Sequence, residues 1–327
     1  MPPKKPVNTL LAALQFVGSV QPKRSPNPAD THCRFFGGRL VAAGGPLSAG
    51  ITVQEEIECC PNTAKLIDAL KQCPDTISLT MLTSKELAVK SGNFQAAIPC
   101  IEQTELPVIF PNQITHKVAP EFEQALKRVG EIVSDKAKTV LQSSVQLCEG
   151  SVVGSNGDII LECWHGCPGP VGPILPKLFI DAVKKQRGKS IYHLGIQHGC
   201  LTAYYDDGSW TKTALQTDSA FPDLHSFLGL SSNPVPMPLG LFEAIERLAP
   251  FSQDGRLYLT AEGVCTDNYK KDGAINLCAD LPIGISFDIE SLKLLNGIAE
   301  KIDFNVSSRM VYFFGRNCRG AIGVKRT

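Results

Sequence analysis

The stretch "AKLIDALKQCPDTISLTMLTSKELAVKSGNFQAAIP", residues 64–99, decides how the rest of the chain is read. It opens with a short helix led by Lys65-Leu66, passes a polar turn and continues as three runs in which apolar and polar residues alternate. That alternation has the period of a strand, not of a helix. The same order returns in "PKLFIDAVKKQRGKSIYHLGIQHGCLTAYYDDGSWTKTAL" from Pro176, and again in "IESLKLLNGIAEKIDFNVSSRMVYFFGRNCRGAIGVKR" from Ile289. Lys65, Lys177 and Glu290 fall 112 and 113 residues apart, a repeat period that governs domain organisation before any motif does.

A second helix precedes each of these segments. "NTLLAALQFVGSV" carries Leu10, Leu14 and Val17 on one stripe, and "PEFEQALKRVGEIVS" carries Phe122, Leu126, Val129 and Val133. "GLFEAIERLAPFS" carries Phe242, Ile245 and Ala249. Between the two helices of a unit lie strand-like runs such as "GDIILECW" and "GRLYLTAEGV", while "QTELPVIFPNQ" and "SFLGLSSNPVPMPLG" are Pro-rich joints. The expectation is an α+β chain of three units, at 1–110, 111–229 and 230–327, each with two helices on antiparallel sheet. The N-terminal run imitates a signal peptide, but its helical stripe makes it the first helix of the first unit.

Composition sets limits. Lys+Arg and Asp+Glu both number 32, so any nucleic-acid surface has to be a local stripe and not a whole-protein field. There is no apolar run of the ~18 residues a membrane helix needs. The twelve cysteines are mostly scattered singly and suit buried free thiols in a reducing compartment. No P-loop, nucleophile elbow, dinucleotide fingerprint or carboxylate pair marks an enzyme, and a turn between strands explains the glycine-rich "GGRLVAAGGPLSAG". "CWHGC", residues 163–167, has C-x-x-x-C spacing, not the C-x-x-C of zinc ribbons and redox loops. A zinc set of Cys163, His165, Cys167 and His198 is conceivable, as is a small metallohydrolase built on it; the reading taken is loop packing with incidental thiols, no metal and no cofactor.

Three tandem helix–sheet units resemble the bacterial DNA polymerase III β sliding clamp. "KELAVKSGNFQAAIPCIEQTELP" looks like the end of that family's first domain, and "GSWTKTALQTDSAFPDLHSF" like the close of its second. "LFEAIERLAPFSQDGRLYLTAEGV" and "ISFDIESLKLLNGI" are similar to the helix regions of its third. The resemblance covers about residues 7–327 as an ordered set of moderately specific stretches.

The resemblance implies the DNA clamp fold in three tandem repeats, a head-to-tail homodimer forming a six-domain ring, and no catalytic activity. It implies loose, sequence-independent phosphate contacts to encircled double-stranded DNA. The residues so implied are Lys23, Arg24, Lys127, Arg128, Lys136, Lys138, Lys184, Lys185, Arg187 and Lys189; the alternative for each is a solvated helix face. It implies a cleft taking short apolar peptides of DNA polymerase and clamp-loader subunits, at Leu141, Ser155, Gly157, Asp158, Ile159, Pro222, Phe227, Asp288, Val311, Ile322, Val324 and Arg326. There the chain departs from the family: "SNGDIIL" replaces a basic pair after the glycine, and Gly323-Val324-Lys325 replaces a Met-Pro-Met tail. It implies a dimer joint between first and third units at Phe94, Ala96, Pro250 and Phe251; the alternative for Phe94 is a place in the core. The location implied is a bacterial cytoplasm or nucleoid, or a phage-infected cell. The competing reading is a clamp-fold interaction module that no longer encircles DNA.

Overall fold

A computed structural model describes residues 5–134, 139, 141–186, 188–216, 223, 228–229, 233–267, 273–277, 281–307 and 309–326. The chain resolves into two compact units, one of Met1–Pro120 with Leu178–Gln216, the other of Glu121–Lys177 with Thr217–Thr327. The division runs through the second sequence repeat because strands pair across both repeat junctions.

The first unit holds helices α1 (Val7–Gly18), α2 (Thr63–Lys71) and α4 (Lys177–Lys185) and two antiparallel sheets. One sheet has five strands in the order β1 (Lys5–Pro6), β6 (Thr76–Met81), β7 (Glu86–Ser91), β8 (Phe94–Ile101), β5 (Cys60–Pro61). The other has seven, β2 (Cys33–Phe36), β3 (Arg39–Gly44), β4 (Leu47–Thr52), β16 (Trp210–Ala214), β15 (Cys200–Tyr205), β14 (Ile191–Gln197), β9 (His116–Lys117). Its junction is β4 with β16, where Trp210 faces Gly50. A Cβ on Gly50 would stand 2.3 Å from the Trp210 ring, so the indole lies flat where only glycine leaves room.

The second unit holds α3 (Pro120–Ile132), α5 (Leu241–Leu248) and α6 (Ile289–Lys293) on a twelve-stranded antiparallel sheet. Its strands are β10 (Ser144–Cys148), β11 (Ser151–Ser155), β12 (Ile159–Trp164), β13 (Ile174–Pro176), β17 (Val235–Pro236) and β18 (Arg256–Thr260), followed by β19 (Gly263–Cys265), β20 (Ala274–Asn276), β21 (Ile285–Asp288), β22 (Lys301–Ser307), β23 (Met310–Gly315) and β24 (Cys318–Arg326). The path is β13-β10-β11-β12-β24-β21-β18-β19-β20, with β23, β22 and β17 branching from the other side of β24. The nine residues of β24 serve two neighbours in turn, Cys318–Ile322 against β12 and Val324–Arg326 against β21.

The helix that opens each repeated segment is present in all three, at α2, α4 and α6, and three strands follow each. Two start on matching caps: Asn62 accepts from the Lys65 amide at 3.0 Å and Asp288 from the Ser291 amide at 2.8 Å. Leu10, Leu14 and Val17 of α1 and Phe122, Leu126, Val129 and Val133 along α3 are all buried. In α5 the buried stripe is Leu241, Ala244, Ile245 and Leu248, while Phe242 and Ala249 are half-buried. The Phe242 stripe expected from sequence is therefore turned by one position, because Leu241 at the helix start takes the core.

Candidate nucleic-acid and partner interfaces

The cations divide by what already holds them. In the first unit Lys23, Arg24 and Lys185 are exposed or half-buried and have no polar partner among the described residues. Lys184 is half-buried and engaged by a neighbour. Lys189 is held by Asp207 at 2.6 Å and Ser209 at 3.0 Å, with its ammonium 4.0 Å from the Phe16 ring centre. Lys136, Lys138 and Arg187 lie outside the described residues.

In the second unit Lys127 pairs with the buried Glu123 one turn earlier on α3. Arg128 donates from Nη1 to the Arg316 carbonyl at 2.8 Å and comes within 4.0 Å of Cys318 Sγ. Around them opens a cavity of about 630 Å³, lined by Lys127, Arg128, Arg316, Glu121, Glu131 and Trp164 among others. Arg319 lies over the Trp164 ring at 5.3 Å and binds the buried Glu162 at 2.8 Å. Sequence reasoning missed Arg316 and Arg319. They sit in "GRNCRG", a β-turn whose neighbourhood to α3 is made only by the pairing of β12 with β24.

The peptide-cleft residues gather along β12, β24, β23 and β21, but strand parity separates them. Ile159 pairs with Ile322, which pairs with Val311, and all three are completely buried; Val324 is 6% exposed. These four share one face of the strands and are buried among the described residues. The opposite face of the same strands presents Ile160, Ala321 and Tyr312 in register. There Leu228, Tyr312 and Ala321 form a cluster on which the partly buried Ile160, Met310 and Phe314 pack. One residue along a strand exchanges the faces.

Leu141 and Ser155 are half-buried, Gly157 and Asp158 are exposed, and the Asp158 carbonyl accepts from the Gly323 amide at 2.7 Å. A Cβ at Gly157, whose φ is +99°, would meet the Gln142 amide at 2.4 Å. Asp288 is occupied as the α6 cap, and Arg326 is exposed opposite Ile285. Pro222 and Phe227 lie outside the described residues.

Two sheet edges carry the residues expected at a joint between copies. β8 is paired on its outer side only near Cys100 and Ile101, leaving Phe94–Ile98 without a neighbouring strand there among the described residues. β20 ends the other sheet. Gly273, which opens it, packs on Leu248 and Phe251, and Phe251 is 65% exposed beside an exposed Pro250. Phe94 and Ala96 are half-buried.

The "CWHGC" loop is a local structure. His165 meets Phe122 edge-on at 5.2 Å, and its Nδ1 accepts from the Cys167 amide at 3.2 Å. Burial holds the imidazole below its ordinary pKa and therefore neutral. No group of three metal-binding side chains assembles among the described residues. Nor is any described helix long and apolar enough to cross a membrane.

This architecture, an α+β chain of repeated helix–sheet segments, is the DNA clamp fold. The chain is similar over 99% of its length to the DNA polymerase sliding clamps of Caulobacter crescentus (TM-score 0.82, 15% identity) and Pseudomonas aeruginosa (0.82, 16%), covering 99% of each. The clamp of Bacillus subtilis is similar at TM-score 0.83 and 12% identity, with 98% of that chain covered. No protein-family model and no curated sequence matches the chain.

Proposed function

We propose that this chain is a non-catalytic DNA sliding clamp that confers processivity on a DNA polymerase. The observation that carries the reading is a likeness spanning 99% of this chain and 98–99% of chains that are themselves sliding clamps. In this reading the chain is three clamp domains, divided near residues 110 and 229. Two copies join head to tail, β8 of one beside β20 of the other, with Phe251 and Phe94 filling the joint. The ring encloses duplex DNA in a bacterial cell or phage-infected cell and holds it through Lys23, Arg24, Lys184, Lys185, Lys127, Arg128 and Arg316 without reading bases. Polymerase and clamp-loader subunits dock a short apolar peptide on the partly exposed Ile160, Met310 and Phe314, which pack over the buried Leu228, Tyr312 and Ala321.

The test is topological. Solution mass and low-resolution imaging should give a dimeric ring. Protein loaded on nicked circular duplex should stay bound through gel filtration and be lost when the circle is linearised. A monomer released equally from circle and line would overturn encirclement and favour the interaction module.

A further inference from the structure

We propose that Cys163 and Cys318 are an oxidative modification site: they form a reversible cross-strand disulfide when the protein meets a hydroperoxide. The two residues are direct partners in the pairing of β12 with β24. The Trp164 amide donates to the Asn317 carbonyl at 2.9 Å and the Gly323 amide to the Asp158 carbonyl at 2.7 Å. Bonded pairs therefore fall at 158 and 164, and by alternation Cys163 and Cys318 occupy a non-hydrogen-bonded position. Cα atoms at such positions stand about 4.5 Å apart, with side chains close and on one face. That is inside the roughly 4.4–6.8 Å range a disulfide spans without moving the backbone. The two thiols are close enough for each to shift the other's pKa.

The environment supplies a nucleophile. The hydrogen bond from Cys163 lowers the Cys318 pKa; burial opposes this, and Arg128 adds to the lowering, so that Cys318 rests at about 7 against an ordinary 9.0. The same hydrogen bond and burial push Cys163 upward, keeping it the protonated partner. Both thiols are buried; Cys318 does not line the cavity between α3 and the strands, but its partner Cys163 and Arg128, 4.0 Å from its sulfur, do, and a peroxide in the cavity reaches it past them. The Cys318 thiolate attacks one peroxide oxygen. The O–O bond breaks, the leaving oxygen takes a proton and departs as water or an alcohol, and Cys318 becomes a sulfenic acid. The Cys163 sulfur then attacks that sulfur, displacing hydroxide, which leaves as water with the Cys163 proton. Two thiols lose one electron each and the peroxide gains both.

Cys59 and Cys100 also shift each other's pKa, but the residue opposite Cys100 in the pairing is Pro61. This pair serves as an internal control. Oxidation at Cys163 and Cys318 would staple the second repeat to the third at their shared sheet and withdraw the anionic sulfur from Arg128.

The experiment treats the full chain with hydrogen peroxide, blocks remaining thiols and maps peptides by mass spectrometry. The expected result is a linked 163–318 peptide lacking two hydrogens, reversed by dithiothreitol, with the melting temperature raised by several degrees. Cys163→Ser, which keeps a hydroxyl donor beside Cys318 but cannot close the disulfide, should stop at a sulfenic acid on Cys318 that dimedone traps, and should show no such rise. Cys318→Ala should leave Cys163 a free thiol. Recovery of both as free thiols while Cys59, Cys100 or the half-buried Cys148 and Cys200 oxidise would overturn the proposal. Because the wild-type map needs no variant, a substitution that fails to fold leaves the test intact.

Discussion

Lys189 Nζ stands 2.6 Å from Asp207 Oδ2 and 4.0 Å from the centre of the Phe16 ring, so this cation is spent on its own fold. Lys23, Arg24 and Lys185 carry no such commitments. Replacing those three with Ala should weaken duplex binding for all sequences alike and flatten the slope of log K against log salt by roughly 2–3, about 0.9 for each phosphate the protein no longer neutralises. Lys189→Ala should leave the slope nearly unchanged and lower the melting temperature instead. Fluorescence anisotropy across a salt series, beside thermal unfolding, separates the two.

Asp207 gives the same ion pair a pH signature. Burial raises its pKa, but hydrogen bonds from Lys189 and from the Ser209 hydroxyl and amide outweigh this, leaving it below 3.8. A carboxyl whose folded pKa lies below its unfolded one stabilises fully above the unfolded value and ceases to as pH falls through the folded one. Wild type should therefore lose more stability than Asp207→Asn between about pH 5 and pH 2. Equal losses in urea melts across that window would show that the pair is not coupled to folding.

Glu162 is completely buried and accepts from Ser151 Oγ at 2.8 Å and Arg319 Nε at 2.8 Å. Removing the guanidinium leaves that charge in the core without its cationic partner. Arg319→Ala should cost about 3–5 kcal/mol in denaturant unfolding. Glu162→Gln, which keeps a hydrogen-bonding group of the same shape, should cost clearly less.

Ile159 and Ile160 should respond in opposite ways, since Ile159 is completely interior and Ile160 is only partly buried over the Leu228 cluster. Ile159→Ala should destabilise by about 2–5 kcal/mol. Ile160→Ser should leave the fold nearly intact and reduce affinity for an apolar clamp-binding peptide by tenfold or more, read by calorimetry. The reverse pattern would assign the cleft to the other face.

What the sequence disclosed follows from what is local. Periodicity placed α1 and α3, and the spacing of Lys65, Lys177 and Glu290 marked the three helix starts. Parity at the candidate cleft was hidden, because "DIIL" and "GAIGV" are apolar at successive positions and carry no alternation to read. Arg316, Arg319 and the partnership of Cys163 with Cys318 were hidden for another reason. They depend on β24 crossing to β12, which joins residues about 155 positions apart. "CWHGC" reads as loop packing with incidental thiols, whereas the fold sets Cys163 opposite Cys318.

The sharpest test of assembly is Phe251. An aromatic ring 65% exposed at the turn after α5, against the strand that ends its sheet, contributes little to its own fold. Its replacement should change chain stability by no more than about 0.5 kcal/mol. If it is the anchor of a head-to-tail joint, its loss removes a buried aromatic from the interface centre, which costs about 2 kcal/mol or more, a thirtyfold or greater weakening. Phe251→Asp should accordingly shift the protein from dimer to monomer in sedimentation velocity at micromolar concentration, with unchanged circular dichroism. Phe94→Asp on the opposite edge should do the same, because a heterologous joint fails equally from either side. A dimer that survives both substitutions would place the joint elsewhere than between β8 and β20.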